Sequence, residues 1–338
     1  MPGDGPQAPT GGATGGRVEC AAVAAGAGSF GGRAQSLVAA GGSAVKAILV
    51  NPKAGGGRAG AQWDRLSAQL PLSRSLPVFM PPSSEAMREA VRQLLSSGCQ
   101  RLVVVGGDGT LHLVAGEILA TGSSEVSLGL VPLGTGCDFA RTLGLPKSPR
   151  EAFTLALEGP AKPVDAGVID GPGPRVFFVN VASAGISGMV DELVNANPRR
   201  GALAFLTATL QALRRYQPRQ LAVQVDGQEL FSGPALLVAV ANGTSFGKGM
   251  HIAPLARAND GLLDVVVVEA VRGLQLVRRL HLVYLGRHLR LSQVRFVQGR
   301  EVQLQAQEPL PPFDVDGECV PSGPARFSVV PGALQVAH

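Results

Sequence analysis

The sequence predicts an α/β domain, a parallel sheet with helices on both faces in three layers, followed by a mostly antiparallel β domain of sandwich or barrel type. Three observations lead there. From Val45 to about Asp165, short apolar runs alternate with helical patterns, the signature of a parallel sheet. Three of those runs end in glycine-rich turns. Beyond Asp165 the texture becomes short apolar runs separated by Gly, Pro and Asp, which is strand and turn rather than alternation.

Residues 1–44 are mostly Gly and Ala with few large apolar side chains, so they bury too little to offset the entropy of ordering and are expected to be a disordered tail. Ala47–Val50 is the first strand, and it runs into Asn51-Pro-Lys-Ala-Gly-Gly-Gly-Arg58. Residues 61–70 read as a helix and 76–80 as a strand. Ser83 and Ser84 then cap a helix through Leu95, with Glu85 and Glu89 in its early turns. The central strand is Arg101–Val105, followed by Gly106-Gly-Asp-Gly-Thr110 and a helix over 111–120. Ser127–Val131 leads into Pro132-Leu-Gly-Thr-Gly-Cys-Asp-Phe-Ala-Arg141, and Pro149–Glu158 is a short helix closed by Gly159-Pro160. Strands are expected at 163–169, 175–182, 221–225, 235–241 and 263–269. One helix interrupts them at 202–216, where Leu203, Leu206, Leu210 and Leu213 recur at helical spacing.

Three glycine-rich turns at strand ends converge in an open parallel sheet, where ligands bind beyond the carboxyl ends of the strands. One such turn is a weak signal; three suggest a polyphosphate cradled by backbone N–H groups. The candidate cradle is Asn51, Lys53, Gly55, Gly56, Gly57 and Arg58 from the first turn, Gly106, Gly107, Asp108, Gly109 and Thr110 from the second, and Gly134, Thr135 and Gly136 from the third. A carboxylate at Asp108, amid phosphate-facing amides, calls for Mg²⁺ between it and the phosphates, and Asp138 is placed to share that network. Asp138 has the competing role of capping the helix after it.

Composition narrows the partners. A net charge of +5, 16% charged residues and 4% aromatics leave little for a nucleic-acid binder, so none is expected. Cys20, Cys99, Cys137 and Cys319 show no Cys-x-x-Cys spacing, which argues against zinc and for a reducing, cytoplasmic setting. No apolar run reaches the length of about 18 residues that a spanning helix needs. Residues 272–295 hold six arginines and two histidines with no acidic residue, interleaved with Leu274, Leu276, Val277, Leu280 and Val283. Such a segment suits peripheral contact with an anionic membrane surface, its competing role being an ordinary solvated face. A homodimer is compatible with the sequence.

Asn-Pro-x-x-Gly, Gly-Gly-Asp-Gly-Thr and Pro-Leu-Gly-Thr-Gly-x-Asp-Phe-Ala-Arg resemble the soluble lipid kinase family that includes bacterial diacylglycerol kinases and, more distantly, sphingosine and ceramide kinases. Asn242-Gly-Thr-Ser-Phe-Gly-Lys-Gly-Met-His-Ile-Ala-Pro254, Asn259-Asp-Gly-Leu-Leu-Asp264 and Asp316-Gly-Glu318 extend the resemblance over roughly residues 45 to 330. It implies an ATP-binding α/β domain over 45–163, a β-rich lipid-substrate domain over 164–320, and a C-terminal segment, 321–338, returning to the first domain. It implies ATP and Mg²⁺, a lipid substrate phosphorylated on a hydroxyl, and Glu318 as general base with Asp108 as the rival. A second, structural Mg²⁺ is implied at Asp260 and the carbonyl of Leu262; Asn-Asp-Gly is equally an ordinary turn. The helix at 202–216 is implied to line an acyl-chain pocket.

Two departures bear on nucleotide and metal binding. Leu111-His112-Leu113 stands where relatives carry an apolar residue and then Asn-Glu, and Cys137 stands where they carry Asn. Gly185-Ile-Ser-Gly-Met-Val-Asp191 offers little acid early in the pocket helices for an amine, so diacylglycerol or a similar neutral lipid is the expected acceptor. The alternatives are an NAD kinase-like enzyme, which shares Gly-Gly-Asp-Gly-Thr, and a non-catalytic lipid-binding or regulatory protein of the same fold.

Overall fold

Four parallel strands floor the first lobe: β1 (Lys46–Val50), β2 (Val78–Phe79), β3 (Arg101–Gly106) and β4 (Ser127–Pro132), side by side as β4-β3-β1-β2. The structure, a computed structural model, describes residues 45–123, 125–196, 202–270 and 273–338. The expected tail, 1–44, and Arg272 lie outside the described residues, as do the side chains of Leu203 and Leu206. Alternate residues of the central strands point to opposite faces. Ile48, Val50, Val103 and Val105 pack with Trp63 and Phe153 under the helices at Ala59–Ser67 and Pro149–Glu158. Ala47, Leu49, Leu102 and Val104 pack with Val91 and Ile118 under the helices at Ser84–Ser96 and Asp108–Thr121. Burial on both faces is why these strands read as unbroken apolar runs.

Helix ends follow local chemistry. The Ser83 hydroxyl accepts the Ala86 N–H at 3.1 Å, and Gly122 closes the helix after β3 in a left-handed conformation. The helix expected over 61–70 ends at Ser67, and Pro71 opens a 3-10 turn over Pro71–Ser75. Of the strand expected over 76–80, only Val78 and Phe79 pair with β1.

The second lobe contains β5 (Ala161–Asp170), β6 (Val176–Phe178), β7 (Val181–Gly185), β8 (Arg219–Val225), β9 (Gln228–Ala241), β10 (Leu263–Glu269), β11 (Val294–Gly299), β12 (Glu301–Ala306), β13 (Phe313–Val315), β14 (Glu318–Val320) and β15 (Ala325–Ala337). Their pairing is antiparallel throughout, in the order β14-β13-β7-β9-β8-β12-β15, with β10 on β9 and β11 on β10, and with β5 on β15 and β6 on β5. The α/β-plus-antiparallel-β class read from the sequence is therefore borne out. β15 also pairs in parallel with β4 through Gln335 and Val336, so the chain end closes the first sheet. The division after residue 163 falls inside β5, which runs alongside β15 from one lobe into the other.

The run expected as a single strand over 175–182 is two strands. Between them the N–H groups of Val179, Asn180 and Val181 turn to the Asp316 carboxylate at 2.9, 3.0 and 3.0 Å instead of to a neighbouring strand. Helices occupy Ile186–Asn195 and Ala202–Arg215. The basic segment resolves into a helix at Gly273–Tyr284, a 3-10 turn at His288–Arg290 and the start of β11.

Candidate active site

The three glycine-rich turns meet at the carboxyl ends of β1, β3 and β4. After β1, the Asn51 amide donates to the Thr110 hydroxyl at 2.9 Å and its oxygen accepts the Lys53 N–H at 3.0 Å, tying the first turn to the second. Gly55, Gly56 and Gly57 all have φ between +62° and +84°, which only glycine adopts at little cost. A Cβ on Gly55 would stand 2.7 Å from the Leu133 carbonyl, so the first turn lies directly on the third. The second and third turns touch backbone to backbone, since a Cβ on Gly107 would be 3.0 Å from Gly134 Cα. Lys53 and Arg58 are exposed at the rim, and the Arg58 guanidinium donates to the Gly55 carbonyl at 3.0 Å.

Asp108 has a structural role that the sequence reading did not assign. Its two carboxylate oxygens accept the N–H groups of Asp138 and Phe139 at 3.0 and 3.1 Å, capping the helix at Asp138–Thr142. The capping role weighed for Asp138 thus belongs to Asp108. Cys137 stands before that helix at φ 54°, a left-handed conformation that Asn tolerates better than Cys. Burial, the largest influence, pushes the Asp108 carboxyl up to about 6; the two N–H groups oppose it and the Asp138 charge adds to it. Asp138 pairs with Arg141 and accepts the Lys248 N–H at 2.8 Å. With the hydrogen bond from the Thr244 N–H to the Thr142 hydroxyl at 3.0 Å, this fastens the third turn to the loop after β9.

These carboxylates fit a hydrated Mg²⁺. A Cβ on Gly136 would lie 2.9 Å from Asp108 Oδ2 and 3.6 Å from Asp138 Oδ2, so the two acids share one small space. Asp108 Oδ2 accepts one N–H and keeps a second lone pair, which suits a cation that retains several of its waters, while the Asp138 carboxylate is also engaged by the Lys248 and Gly249 N–H groups and by Arg141. The turn at Asp260 is different: Asp260 Oδ1 accepts the Leu262 N–H at 3.1 Å, and the Gly261 N–H goes to Asp165 at 2.7 Å. It is a self-closed turn docked on the buried Asp165, and among the described residues no group of three His, Cys, Asp or Glu side chains is arranged there or elsewhere to hold a metal ion.

The second lobe brings Glu318 to the phosphate turns. Asp316 and Gly317 form a two-residue turn between β13 and β14, both at positive φ, and Glu318 is the first residue beyond it. A Cβ on Gly109 would be 3.5 Å from Glu318 Oε1, which places the carboxylate against the second turn. His112, from the helix that begins at Asp108, contacts Asp316 with Nδ1 at 3.1 Å from Oδ2.

Sequence reasoning also missed an acid pair beside Glu318. Asp314 is buried in β13 and Asp191 lies on the helix after β7; burial, the largest influence, pushes both carboxyls up, the Asp314 charge adds to it at Asp191, and at Asp314 the hydrogen bonds from Gly317 and Asp191 oppose it. Asp314 accepts the Gly317 N–H at 2.9 Å and the Ser183 hydroxyl at 3.4 Å. Two acids separated by over a hundred residues carry no local signal of meeting. Only the fold joins them.

Further out, Leu255, Tyr284 and Leu285 are exposed at 59%, 44% and 59%. The segments that carry them meet at Gly286, where a Cβ would be 3.1 Å from Pro254 Cβ. In the basic segment Arg279 donates to Gln293 and Arg295 pairs with Glu269, whereas Arg287 and Arg290 are exposed. The side chain of Arg278 lies outside the described residues. No helix among the described residues is long and apolar enough to cross a membrane.

A direct test of the convergence is Gly134→Ala. The added methyl would overlap Gly107 Cα, prising the second and third turns apart. Turnover is expected to fall on the order of 100-fold, as for displacement of a reacting group by about 1 Å. Calorimetric titration with ATP should show weakened binding while the thermal transition is retained; unchanged affinity would mean that the turns do not hold the nucleotide.

Comparison with known proteins agrees with this architecture. Residues 46–169 match the Diacylglycerol kinase catalytic domain family, and residues 180–338 match the YegS C-terminal NAD kinase beta sandwich-like domain family. A diacylglycerol kinase of Mycobacterium tuberculosis is 31% identical over 256 residues, covering 74% of this chain and 80% of its own length. A Pseudomonas aeruginosa protein named "Probable lipid kinase YegS-like" is 33% identical over 275 residues, covering 80% and 87%. The crystal structure of a diacylglycerol kinase from Bacillus anthracis superposes with a TM-score of 0.64 at 21% identity, covering 87% of this chain and 96% of that one, which is a likeness of fold.

Proposed function

Because the chain belongs to the family of diacylglycerol kinases and YegS-like lipid kinases, we propose that it transfers the γ-phosphoryl group of ATP to a lipid hydroxyl, with diacylglycerol or a similar neutral lipid as acceptor. The observation that carries this reading is the meeting of Glu318 with Gly109, a carboxylate of one lobe set against the phosphate turns of the other. Phosphoryl transfer needs positioned phosphates, neutralised charge and a base aimed at the acceptor.

In this reading the N–H groups of the three turns, with Lys53 and Arg58 at the rim, hold the triphosphate. Glu318 accepts the proton of the acceptor hydroxyl as that oxygen attacks. Asp108 and Asp138 would hold Mg²⁺, which supplies charge neutralisation on the phosphates. Asp108 also keeps the third turn in place through its two N–H bonds, a positioning duty that favours Glu318 over Asp108 as the base. The Asp260 turn, whose carboxylate closes on the Leu262 N–H, takes no part in this reading.

One observation favours a second acceptor class. Asp191 and Asp314 form a buried acid pair beside Glu318, and an ammonium group there would let both ionise. An amino-alcohol lipid is the acceptor chemistry that pair would select. The test is ATP consumption with Mg²⁺ against diacylglycerol, ceramide, sphingosine and NAD in neutral detergent micelles. Turnover on diacylglycerol alone supports the first reading and on sphingosine alone the second; turnover on NAD alone, or on none, contradicts both.

The acceptor resides in a membrane, and peripheral contact is assigned to the exposed Leu255, Tyr284 and Leu285 with Arg287 and Arg290 beside them. Each arginine near an anionic surface contributes about 1 kcal/mol. Reversing Arg287 and Arg290 to Glu is expected to lower binding to anionic vesicles at least about tenfold and to flatten its salt dependence. Unchanged sedimentation with vesicles would leave these residues as a solvated face.

A further inference from the structure

We propose that His112 is a positioning residue that fixes Glu318 by clamping Asp316 across the two lobes. The inference rests on the lipid kinase reading.

The Asp316 carboxylate is saturated: Oδ1 accepts the N–H groups of Asn180 and Val181, and Oδ2 accepts the Val179 N–H and faces His112 Nδ1 at 3.1 Å. Its side chain is 1% exposed and that of His112 is 12%. Three of the four contacts come from the second lobe; the fourth comes from the helix whose first turn is Asp108-Gly-Thr. His112 is therefore a direct strut between the phosphate turn and the Asp316-Gly317 turn, and Glu318 follows that turn immediately. Asp316 sits at φ 54°, the left-handed conformation that the first residue of a two-residue Asp-Gly hairpin turn adopts.

The charges facing His112 are Asp316 and Glu318 from the second lobe and Arg88 from the helix at Ser84–Ser96; Arg88 is engaged with Glu117 at 3.0 Å. Burial, the largest influence, disfavours the cation, and the hydrogen bond and charge of Asp316, reinforced by Glu318, outweigh it, so the imidazole lies above its ordinary 6.5. The sign follows from linkage. A cation raised on folding adds stability that is complete below the ordinary value in the unfolded chain, about 6.5, and is lost as pH rises through the higher folded value. The strut is closed below the raised value and loosens as pH rises through it.

Two measurements test this together across about pH 6 to 9: kcat on a short-chain acceptor in neutral micelles, and the amide shifts of Gly317 and Glu318 by NMR in the full chain. In the unmodified protein, kcat should fall about tenfold on the alkaline side, the loss expected when a hydrogen bond to a charged group weakens, and both amides should titrate with the same midpoint above 6.5. In His112→Gln, which keeps a donor and loses the charge, both transitions should vanish while ATP affinity stays within about twofold. Persistence of the transitions in the variant overturns the proposal, and so does a flat profile of amides and kcat in the unmodified protein, which needs no variant. If no lipid is turned over while the amides titrate with His112, the lipid kinase reading fails and the strut stands.

Discussion

Glu318→Gln is expected to abolish phosphoryl transfer, lowering turnover about 10²- to 10⁴-fold, the usual contribution of a general base. The side chain adjoins Gly109 and opens β14 just beyond the Asp316-Gly317 turn, so an amide of the same shape can occupy its place without disturbing the phosphate turns. ATP·Mg²⁺ binding should stay nearly unchanged, because the loss acts on the transition state. Asp108→Asn should behave differently. Its carboxylate accepts two N–H groups, and an amide offers only one acceptor oxygen and sets an N–H₂ against a donor. Nucleotide binding, its dependence on Mg²⁺ and thermal stability should all decline together. Calorimetric titration with and without Mg²⁺, beside product formation, distinguishes the two variants; retained turnover in Glu318→Gln would transfer the base to Asp108.

Asp316→Ala is expected to carry a large stability cost. Three buried N–H groups and His112 would lose their acceptor at once. At about 1–3 kcal/mol for each unsatisfied buried donor, the sum is on the order of 4 kcal/mol or more. For a chain of this size that is a fall in melting temperature of about 10 °C. Differential scanning calorimetry checks it, and a shift under about 2 °C would mean that water or a local rearrangement satisfies those groups.

Much of the first lobe is legible in the sequence because its signals are local. An apolar run ending in Gly-Gly-Asp-Gly states strand, turn and helix start within ten residues, and the β1, β3 and β4 turns each announce themselves this way. The second lobe is less legible because its decisive contacts span the chain. The break at Val179 and Asn180 exists because a carboxylate over 130 positions away takes their N–H groups, and nothing between 175 and 182 encodes it. β11 to β15 are absent from the strands read in the sequence, although Val302 and Leu304 alternate with polar residues along Glu301–Ala306 and are buried where that strand lies between β8 and β15; Glu318–Val320 is too short and polar to stand out. Among site residues, Asp108 was legible as unusual, but its capping of the helix at Asp138–Thr142 depends on the approach of a turn 30 positions later. His112 stood out only as a departure from the family's pattern, and its partner is 204 positions away.

The most direct measurement is mass spectrometry of lipids after incubation with Mg²⁺, total lipid extract and ATP bearing ¹⁸O on its γ-phosphoryl group. The expected result is a lipid phosphomonoester carrying the labelled phosphoryl group, absent from a parallel incubation with Glu318→Gln. Label confined to inorganic phosphate, or an identical labelled lipid from both proteins, would contradict transfer from the three turns to a lipid hydroxyl with Glu318 as its base.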